Sequence, residues 1–163
     1  MLVDLLTPAE ELDRGYVFNI ELLASRLRDV TQWLRAQPHM GNIPIGYFGA
    51  STGAAATLWA AADPGNPVGA VVSRGGRPDL ASPRLGNVQA PTLLIVGGDD
   101  TITLQLNRVA QSQMTCTSRV AVVPGATHLF EEPGGLEAVA ALAADWLQRH
   151  LLLSQPAVPD KSH

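Results

Sequence analysis

The sequence predicts a single α/β domain, built as a three-layer sandwich around a mostly parallel β-sheet. Residues 91–96, P-T-L-L-I-V, form an apolar run without alternation, which is typical of a strand buried on both faces of a parallel sheet. Residues 46–53 place a serine in the frame G-x-S-x-G between an apolar run and an alanine-rich segment, which indicates a strand, a sharp turn and a helix. The 163 residues suffice for one domain with a substantial core.

Helical and strand-like segments alternate through the first half of the chain. Residues 18–34 carry apolar side chains at helical spacing along one face, with Glu21 and Arg26 among the polar positions. Residues 43–48 are expected to form the strand that leads into the G-x-S-x-G turn. Residues 54–62 are expected to form the buried helix that follows it.

The second half of the chain continues this alternation. The remaining predicted elements are strands at 68–72 and 119–123 and helices at 101–114 and 138–153. Residues 73–83 are rich in Gly, Arg and Pro and are expected to form a loop. Asn107 and Arg108 are expected to face solvent. The domain is predicted to span 1–153, and the polar, proline-containing segment 154–163 is expected to be a flexible tail.

The G-x-S-x-G frame makes Ser51 the candidate nucleophile. A serine at a strained strand-to-helix turn has its hydroxyl lifted clear of the sheet, and we expect Gly49 and Gly53 to be required because a Cβ at either position would collide with neighbouring backbone. The frame has a second interpretation, a strand that ends in a glycine turn with Ser51 or Thr52 capping the next helix.

Two further candidate residues follow later strands. Asp99 and Asp100 come directly after the buried run 91–96, and His128 comes just after 119–123. The order Ser, Asp, His, each after a parallel strand, brings the three side chains to one edge of the sheet. Alternatively, the aspartates cap the next helix and His128 is an ordinary loop histidine. The other histidines have no comparable context: His39, His150 and His163.

These residue types together favour nucleophilic acyl chemistry. His128 would accept the proton of Ser51, and an aspartate would orient His128 and stabilise its charged form. The backbone N–H of Thr52, at the start of the helix, would donate to the developing oxyanion. Arg74 would bind an anionic group of the substrate, although a surface salt bridge is the more common role of such an arginine.

The chain resembles the α/β-hydrolase superfamily and, within it, the dienelactone-hydrolase-like branch. The resemblance rests on G-Y-F-G-A-S-T-G-A-A-A (46–56), S-R-G-G-R-P-D-L-A (73–81), A-P-T-L-L-I-V-G-G-D-D (90–100) and V-P-G-A-T-H-L-F-E-E-P-G (123–134). The G-G-x-D pattern of the family falls on 97–100, which implies Asp100 as the acid. Dienelactone hydrolase proper uses a cysteine nucleophile, whereas Ser51 stands here and Cys116 lies elsewhere. Some similar proteins are joined to phosphoribosyltransferase-like domains.

The resemblance also implies an N-terminally truncated fold. Residues 2–6 resemble the fourth strand of the family, so three strands and the loop with the second oxyanion donor would be missing. The strand at 43–48 would then become an edge, and an unpaired apolar edge invites pairing with another chain. Three outcomes are open at this edge: residues 1–40 dock there in a shifted register, two copies form a homo-oligomer, or a separate partner polypeptide supplies the missing strands.

Composition excludes several classes of protein. A formal charge of −4 argues against nucleic-acid binding. The sequence contains no cluster of His and Cys that would indicate a metal site, and no cofactor is expected. One cysteine excludes an internal disulfide. The start carries Asp4 and no basic region, unlike a signal peptide, and the helix at 138–153 is too interrupted by polar residues to span a membrane. A cytoplasmic protein is expected.

Two functions remain open from the sequence. The first is a serine hydrolase that cleaves ester, lactone or related acyl bonds of a small molecule through Ser51, His128 and Asp100 and an acyl-enzyme. The second is a non-catalytic, hydrolase-like remnant or interaction module with an open sheet edge.

Overall fold

A computed structural model describes residues 1–152 of the chain. The predicted domain boundary at 153 and the flexible tail predicted for 154–163 lie outside the described residues.

A four-stranded, fully parallel sheet forms the centre of the domain. The strands are β1 (Gly46–Ala50), β2 (Ala70–Arg74), β3 (Thr92–Gly97) and β4 (Ser118–Val123), and they lie side by side in chain order. Every residue of β3 is buried, as the uninterrupted apolar run 91–96 predicts for a central strand. The predicted α/β class with a parallel sheet is confirmed.

Helices cover both faces of this sheet. They are α1 (Arg14–Val17), α2 (Ile20–Arg35), α3 (Thr52–Ala61), α4 (Thr101–Gln113) and α5 (Gly135–Leu152), with short 3₁₀ segments at Glu10–Leu12 and Pro78–Asn87. The loop predicted for 73–83 therefore overlaps this second 3₁₀ segment at residues 78–83. Of the residues described, no helix is long and apolar enough to cross a bilayer.

The core is divided by the sheet into two apolar clusters. On one face, Val71 packs with residues of α2, α3, α4 and the second 3₁₀ segment. On the other face, Val72 and Ile95 pack against α5, where Trp146 closes the layer. Burial of each of these aliphatic side chains stabilises the fold by roughly 1.5–3 kcal/mol. Because successive residues of β2 and β3 point to opposite faces of the sheet, this stabilisation acts on the helices of both faces.

Residues 2–6 form no strand, contrary to the resemblance to a fourth strand. Leu5 and Leu6 pack against the α2–α3 cluster, and the guanidinium of Arg26 donates to the carbonyl oxygen of Leu5 at 2.8 Å. Arg26 also forms an ion pair with Glu10. The strand prediction was wrong because β-like composition needs a neighbouring strand to bond to, and here the carbonyl of Leu5 bonds to Arg26 instead.

β1 forms one edge of the sheet. The carbonyl of Ile45 accepts from Gly69, and Ser51 donates to Arg74, so the odd-numbered residues of this strand bond to β2. The alternation of parallel pairing turns the backbone groups of Gly46, Phe48 and Ala50 outward. The side chain of Phe48 is 49% exposed.

Candidate active site

All the candidate residues lie at one end of the sheet, where the carboxyl ends of the four parallel strands meet. Ser51 directly follows β1, Arg74 ends β2, Asp100 comes three residues after β3, and His128 comes five residues after β4. Because the strands are parallel and adjacent in chain order, segments far apart in sequence meet at this end.

Ser51 occupies a strained turn between β1 and α3. Its φ of 51° and ψ of −121° lie in a region that favours glycine, and its side chain makes no capping bond to the helix. Its backbone is fixed on both sides: the N–H donates to Arg74 O, and the carbonyl accepts from Ala54 and Arg77, each at 3.2 Å. The interpretation of Ser51 as a helix cap is therefore wrong, because the hydroxyl does not bond to the helix end.

The two glycines of the frame differ in what they permit. A Cβ at Gly49 would lie 2.6 Å from Gly53 O and 2.8 Å from the backbone of Ala54, so only glycine lets α3 start this close to β1. A Cβ at Gly53 would meet nothing within 4 Å. The expected collision is correct for Gly49 and wrong for Gly53, which faces open space.

Asp100 is the aspartate that contacts the histidine. Its Oδ2 lies 2.7 Å from His128 Nδ1, and its Oδ1 accepts the N–H of Thr103, which makes it the N-cap of α4. Asp99 is exposed, and its side chain makes no hydrogen bond or ion pair with the residues described. The capping role predicted as an alternative for Asp100 therefore coexists with the contact to His128.

The environment of Asp100 favours its ionised form. Burial of the side chain, which is 14% exposed, would by itself raise its pKa. The hydrogen bonds with His128 and with both the side chain and the backbone of Thr103 outweigh that effect, so the pKa of Asp100 lies below its usual value.

Glycine at the end of β3 permits the close approach of the histidine loop. A Cβ at Gly97 would lie 2.3 Å from Ala126 O and 2.5 Å from Thr127 O. The same loop accepts a hydrogen bond from Asp99 N–H at Ala126 O, and it continues into Phe130, which is buried at a φ of 59°. The G-G-D-D sequence thus supplies both the carboxylate and the space for the segment that carries His128.

Ser51 and His128 both approach the end of β2 and the residue that follows it. The carbonyl of Arg74 holds the N–H of Ser51, and a Cβ at the next residue, Gly75, would lie 3.5 Å from His128 Cε1. Within residues 1–152 no hydrogen bond joins the Ser51 hydroxyl to His128, whose side chain is 43% exposed. Such bonds are often long in unliganded hydrolytic sites and tighten when substrate binds.

Thr52 begins α3 immediately after the strained turn. Its backbone N–H is one of the helix-start donors that have no partner within the helix, and no backbone acceptor in the described part of the chain receives it. The positive end of the helix dipole lies at the same position. This N–H is therefore available to an oxygen placed beside Ser51.

Arg74 makes no ion pair with any residue that the structure describes. Its guanidinium lies 5.8 Å from the ring centre of Phe130, and its Nε is buried without a hydrogen-bond partner. The surface salt bridge expected as its more common role is therefore not formed.

Sequence reasoning missed Asn107, which was expected to face solvent. Its side chain is 0% exposed, and its Nδ2 donates to Gly76 O at 3.1 Å and to Thr103 O at 2.8 Å. One signal was present in the sequence: Asn107 lies seven residues after Asp100, which places both on one face of α4.

Nothing in residues 1–152 groups three or more His, Cys, Asp or Glu side chains that could hold a metal ion.

Comparison with known proteins places this chain in a family. Residues 14–156 match the dienelactone hydrolase family. A dienelactone hydrolase from Anabaena variabilis is 52% identical and superposes with a TM-score of 0.86, over 92% of this chain and 71% of that one. A hydrolase from Thermoplasma acidophilum, 21% identical with a TM-score of 0.66 over 88% of this chain and 65% of that one, shares the fold.

Two curated relatives from strains of Mycobacterium tuberculosis are each 64% identical over 93% of this chain, and their provisional name is phosphoribosyl transferase. The chain spans 34% of the length of these relatives. The match across most of the chain and the likeness to the Anabaena protein show that this chain belongs to the dienelactone hydrolase family.

Proposed function

We propose that this chain is a serine hydrolase that cleaves ester or lactone bonds through Ser51, His128 and Asp100. The observation that carries the proposal is the pairing of His128 with Asp100 on the edge of the sheet where Ser51 occupies a strained turn. Membership of a hydrolase family supports it.

The contact with Asp100 selects the working form of the imidazole. A carboxylate at Nδ1 requires the neutral ring to carry its proton there, so Nε2 is left as the acceptor. His128 Nε2 takes the proton as the Ser51 hydroxyl attacks the carbonyl carbon of the substrate. The low pKa of Asp100 keeps its negative charge, which stabilises the imidazolium that forms.

The remaining steps follow from the same groups. The tetrahedral intermediate carries a negative oxygen, to which the N–H of Thr52 donates. One such donor is worth roughly 10²–10³ in rate. His128 then returns its proton to the leaving alcohol as the carbon–oxygen bond breaks, and Ser51 is left acylated. Water, deprotonated by His128, hydrolyses the acyl-enzyme and restores the serine.

The test is covalent labelling of the purified chain with a fluorophosphonate, followed by mass spectrometry. The proposal expects one adduct on Ser51, absent in Ser51→Ala and strongly reduced in His128→Ala. Ser112→Ala is the matched control, because this serine is exposed and its hydroxyl donates to Val109 O in its own helix. A folded sample that shows no adduct on Ser51 contradicts the proposal.

Arg74 is proposed to favour substrates that carry a negative charge near the cleaved bond. Its guanidinium has no carboxylate partner in the described residues and ends the strand beside Ser51. Arg74→Gln should therefore raise KM for an anionic ester and leave KM for a neutral ester of the same alcohol unchanged. Arg108→Gln, an exposed position on α4, serves as the control.

A second function is favoured by one observation, the outer side of β1, which pairs with no strand in the described part of the chain. A chain that does not hydrolyse acyl bonds could bind a second polypeptide there as an added strand. Absence of the Ser51 adduct together with self-association, measured by sedimentation, would favour this interaction module. A monomer that forms the adduct would exclude it. The provisional name of the curated relatives belongs to proteins of which this chain spans 34%, and we propose no transferase chemistry for it.

A further inference from the structure

Asn107 is a buried polar side chain that joins two parts of the site. The residue lies on α4 and is 0% exposed, so its carboxamide is out of reach of solvent. Both protons of Nδ2 are used, one on Gly76 O at 3.1 Å and one on Thr103 O at 2.8 Å. Because both partners are carbonyls, the orientation of the amide is fixed and cannot be reversed.

The first of these bonds reaches the segment that supports the nucleophile. Gly76 lies between two residues whose backbone N–H groups are hydrogen-bonded. Gly75 N–H donates to Ile95 O of β3 at 2.8 Å, and Arg77 N–H donates to Ser51 O at 3.2 Å. The bond from Asn107 to Gly76 O therefore holds the middle of the segment that closes the strained turn at Ser51.

The second bond reaches the turn of helix that carries the acid. Thr103 O accepts from Asn107, and Thr103 N–H donates to Asp100 Oδ1 at 3.2 Å. One carboxamide thus connects the start of the helix at Asp100 with the segment that supports Ser51. The residue it contacts in that segment, Gly76, lies 31 residues before Asn107 in the chain.

Burial of this amide has a cost that an apolar side chain would avoid. Asn107 Oδ1 is buried, and it has no hydrogen-bond partner among residues 1–152. Leaving such a group unsatisfied costs about 1–3 kcal/mol, so packing alone would be better served by leucine, which has a similar shape. The two donated bonds are what distinguishes asparagine at this position.

We infer that Asn107 is a positioning residue, which fixes segment 74–77 against the Ser51 turn and holds that turn in register with Asp100. It touches no substrate and transfers no proton. The catalytic part of this inference rests on the proposed hydrolase function, whereas the hold on segment 74–77 can be measured without any activity.

The test uses two substitutions of Asn107 and a matched control. Asn107→Leu keeps the shape and removes both donors. Asn107→Ser keeps a donor that bonds to the carbonyl four residues back but does not reach Gly76. Asn66→Leu is the control, because Asn66 is 3% exposed and its Nδ2 likewise donates two bonds, to Tyr47 Oη and Ala60 O, away from the site edge.

Three quantities are measured on each full-length variant: the second-order rate of fluorophosphonate labelling per folded molecule, the urea midpoint, and amide hydrogen exchange of residues 74–77 by NMR. We expect both Asn107 variants to lose labelling rate by about 10²-fold, the scale of a misplacement of 1 Å at a reacting group. The Arg77 amide should exchange faster in both. Asn66→Leu should lower the urea midpoint while its labelling rate and the exchange of 74–77 stay as in the wild type.

Two results would overturn the inference: wild-type labelling in folded Asn107→Leu and Asn107→Ser, or unchanged exchange of residues 74–77 in both. If the wild type itself is not labelled, the hydrolase proposal fails separately. In that case unchanged exchange in the Asn107 variants overturns the hold on segment 74–77, and faster exchange supports it. If Asn107→Leu does not fold, Asn107→Ser decides by the same measurements.

Discussion

Asp100 binds His128 and starts helix α4 with the same carboxylate: Oδ2 lies 2.7 Å from His128 Nδ1 while Oδ1 accepts the N–H of Thr103. A helix of 13 residues therefore fixes the oxygen that orients the imidazole. The adjacent Asp99 is exposed and makes neither contact. The two neighbouring aspartates thus provide a matched pair for testing the role of this carboxylate.

Asp100→Asn should abolish most activity without unfolding the protein. Asparagine caps helices as well as aspartate does, so α4 should persist. Its amide, however, would place N–H groups against His128 Nδ1 and favour the wrong tautomer, which costs about 10⁴-fold in rate in a serine triad. The rate of Ser51 labelling measures this, with Asp99→Asn as the control. Equal losses in the two variants would remove Asp100 from the mechanism.

Stability should fall in acid in a way that depends on Asp100. Its pKa is lowered in the folded state, so its contribution is fully present above the pKa of the unfolded chain, about 4, and is lost as pH falls through the lower folded value. The free energy of unfolding of the wild type and of Asp100→Asn is measured in urea from pH 6 to pH 2. At pH 6 the wild type should be the more stable of the two, and the difference between them should decrease below pH 4. A gap that stays constant over this range would contradict the assignment.

Ser51→Gly should be more stable than Ser51→Ala. Ser51 is held at a φ of 51°, which alanine also adopts only under strain, whereas glycine adopts it freely. We expect a difference of about 1 kcal/mol in the free energy of unfolding after the greater flexibility of unfolded glycine is allowed for. Urea titration of both inactive variants provides the measurement, and a less stable glycine variant would show that the turn is not strained.

Alanine at the two glycines of the frame should have opposite effects. Gly49→Ala places a Cβ 2.6 Å from Gly53 O and must displace α3, so it should lower stability and labelling together. Gly53→Ala meets no atom within 4 Å and lies in the first turn of α3, so it should gain part of the about 1 kcal/mol by which alanine is preferred over glycine in helix interiors. Thermal unfolding of the two variants checks both signs, and a destabilised Gly53→Ala would contradict the open space at that position.

The central strands and the Ser51 turn could be predicted because their sequence signals are local. A strand buried on both faces must be largely apolar, as residues 91–96 are, and a position where a Cβ would lie within 3 Å of another backbone segment requires glycine, as at Gly49. The placement of Ser51, Asp100 and His128 at one end of the sheet then follows from parallel pairing of the strands that precede them. For these residues the structural requirement, burial or close approach, shows in the residue type at the same position.

The missed features depend on partners distant in sequence. Asn107 has the composition of a solvent-facing helix position, and only the carbonyl of Gly76, 31 residues away, explains its burial. Residues 2–6 have the composition of a strand, but Arg26 takes the carbonyl of Leu5 that a neighbouring strand would bond. Gly53 resembles Gly49 in the frame, and only the three-dimensional surroundings separate them.

The side-by-side arrangement of the strands in chain order has a consequence for synthesis on the ribosome. Each strand that emerges finds its neighbour already made, and domains fold from the amino terminus as they appear. The Ser51 turn can close once Asn107 has emerged, because Arg74 and Arg77 supply its backbone bonds and Ile95 and Asn107 hold the segment that carries them. The proton acceptor of the proposed mechanism follows some 20 residues later, after β4, which at about 5–20 residues per second is an interval of about one to four seconds. Through that interval a nascent chain would hold the serine in its strained geometry with no base to activate it.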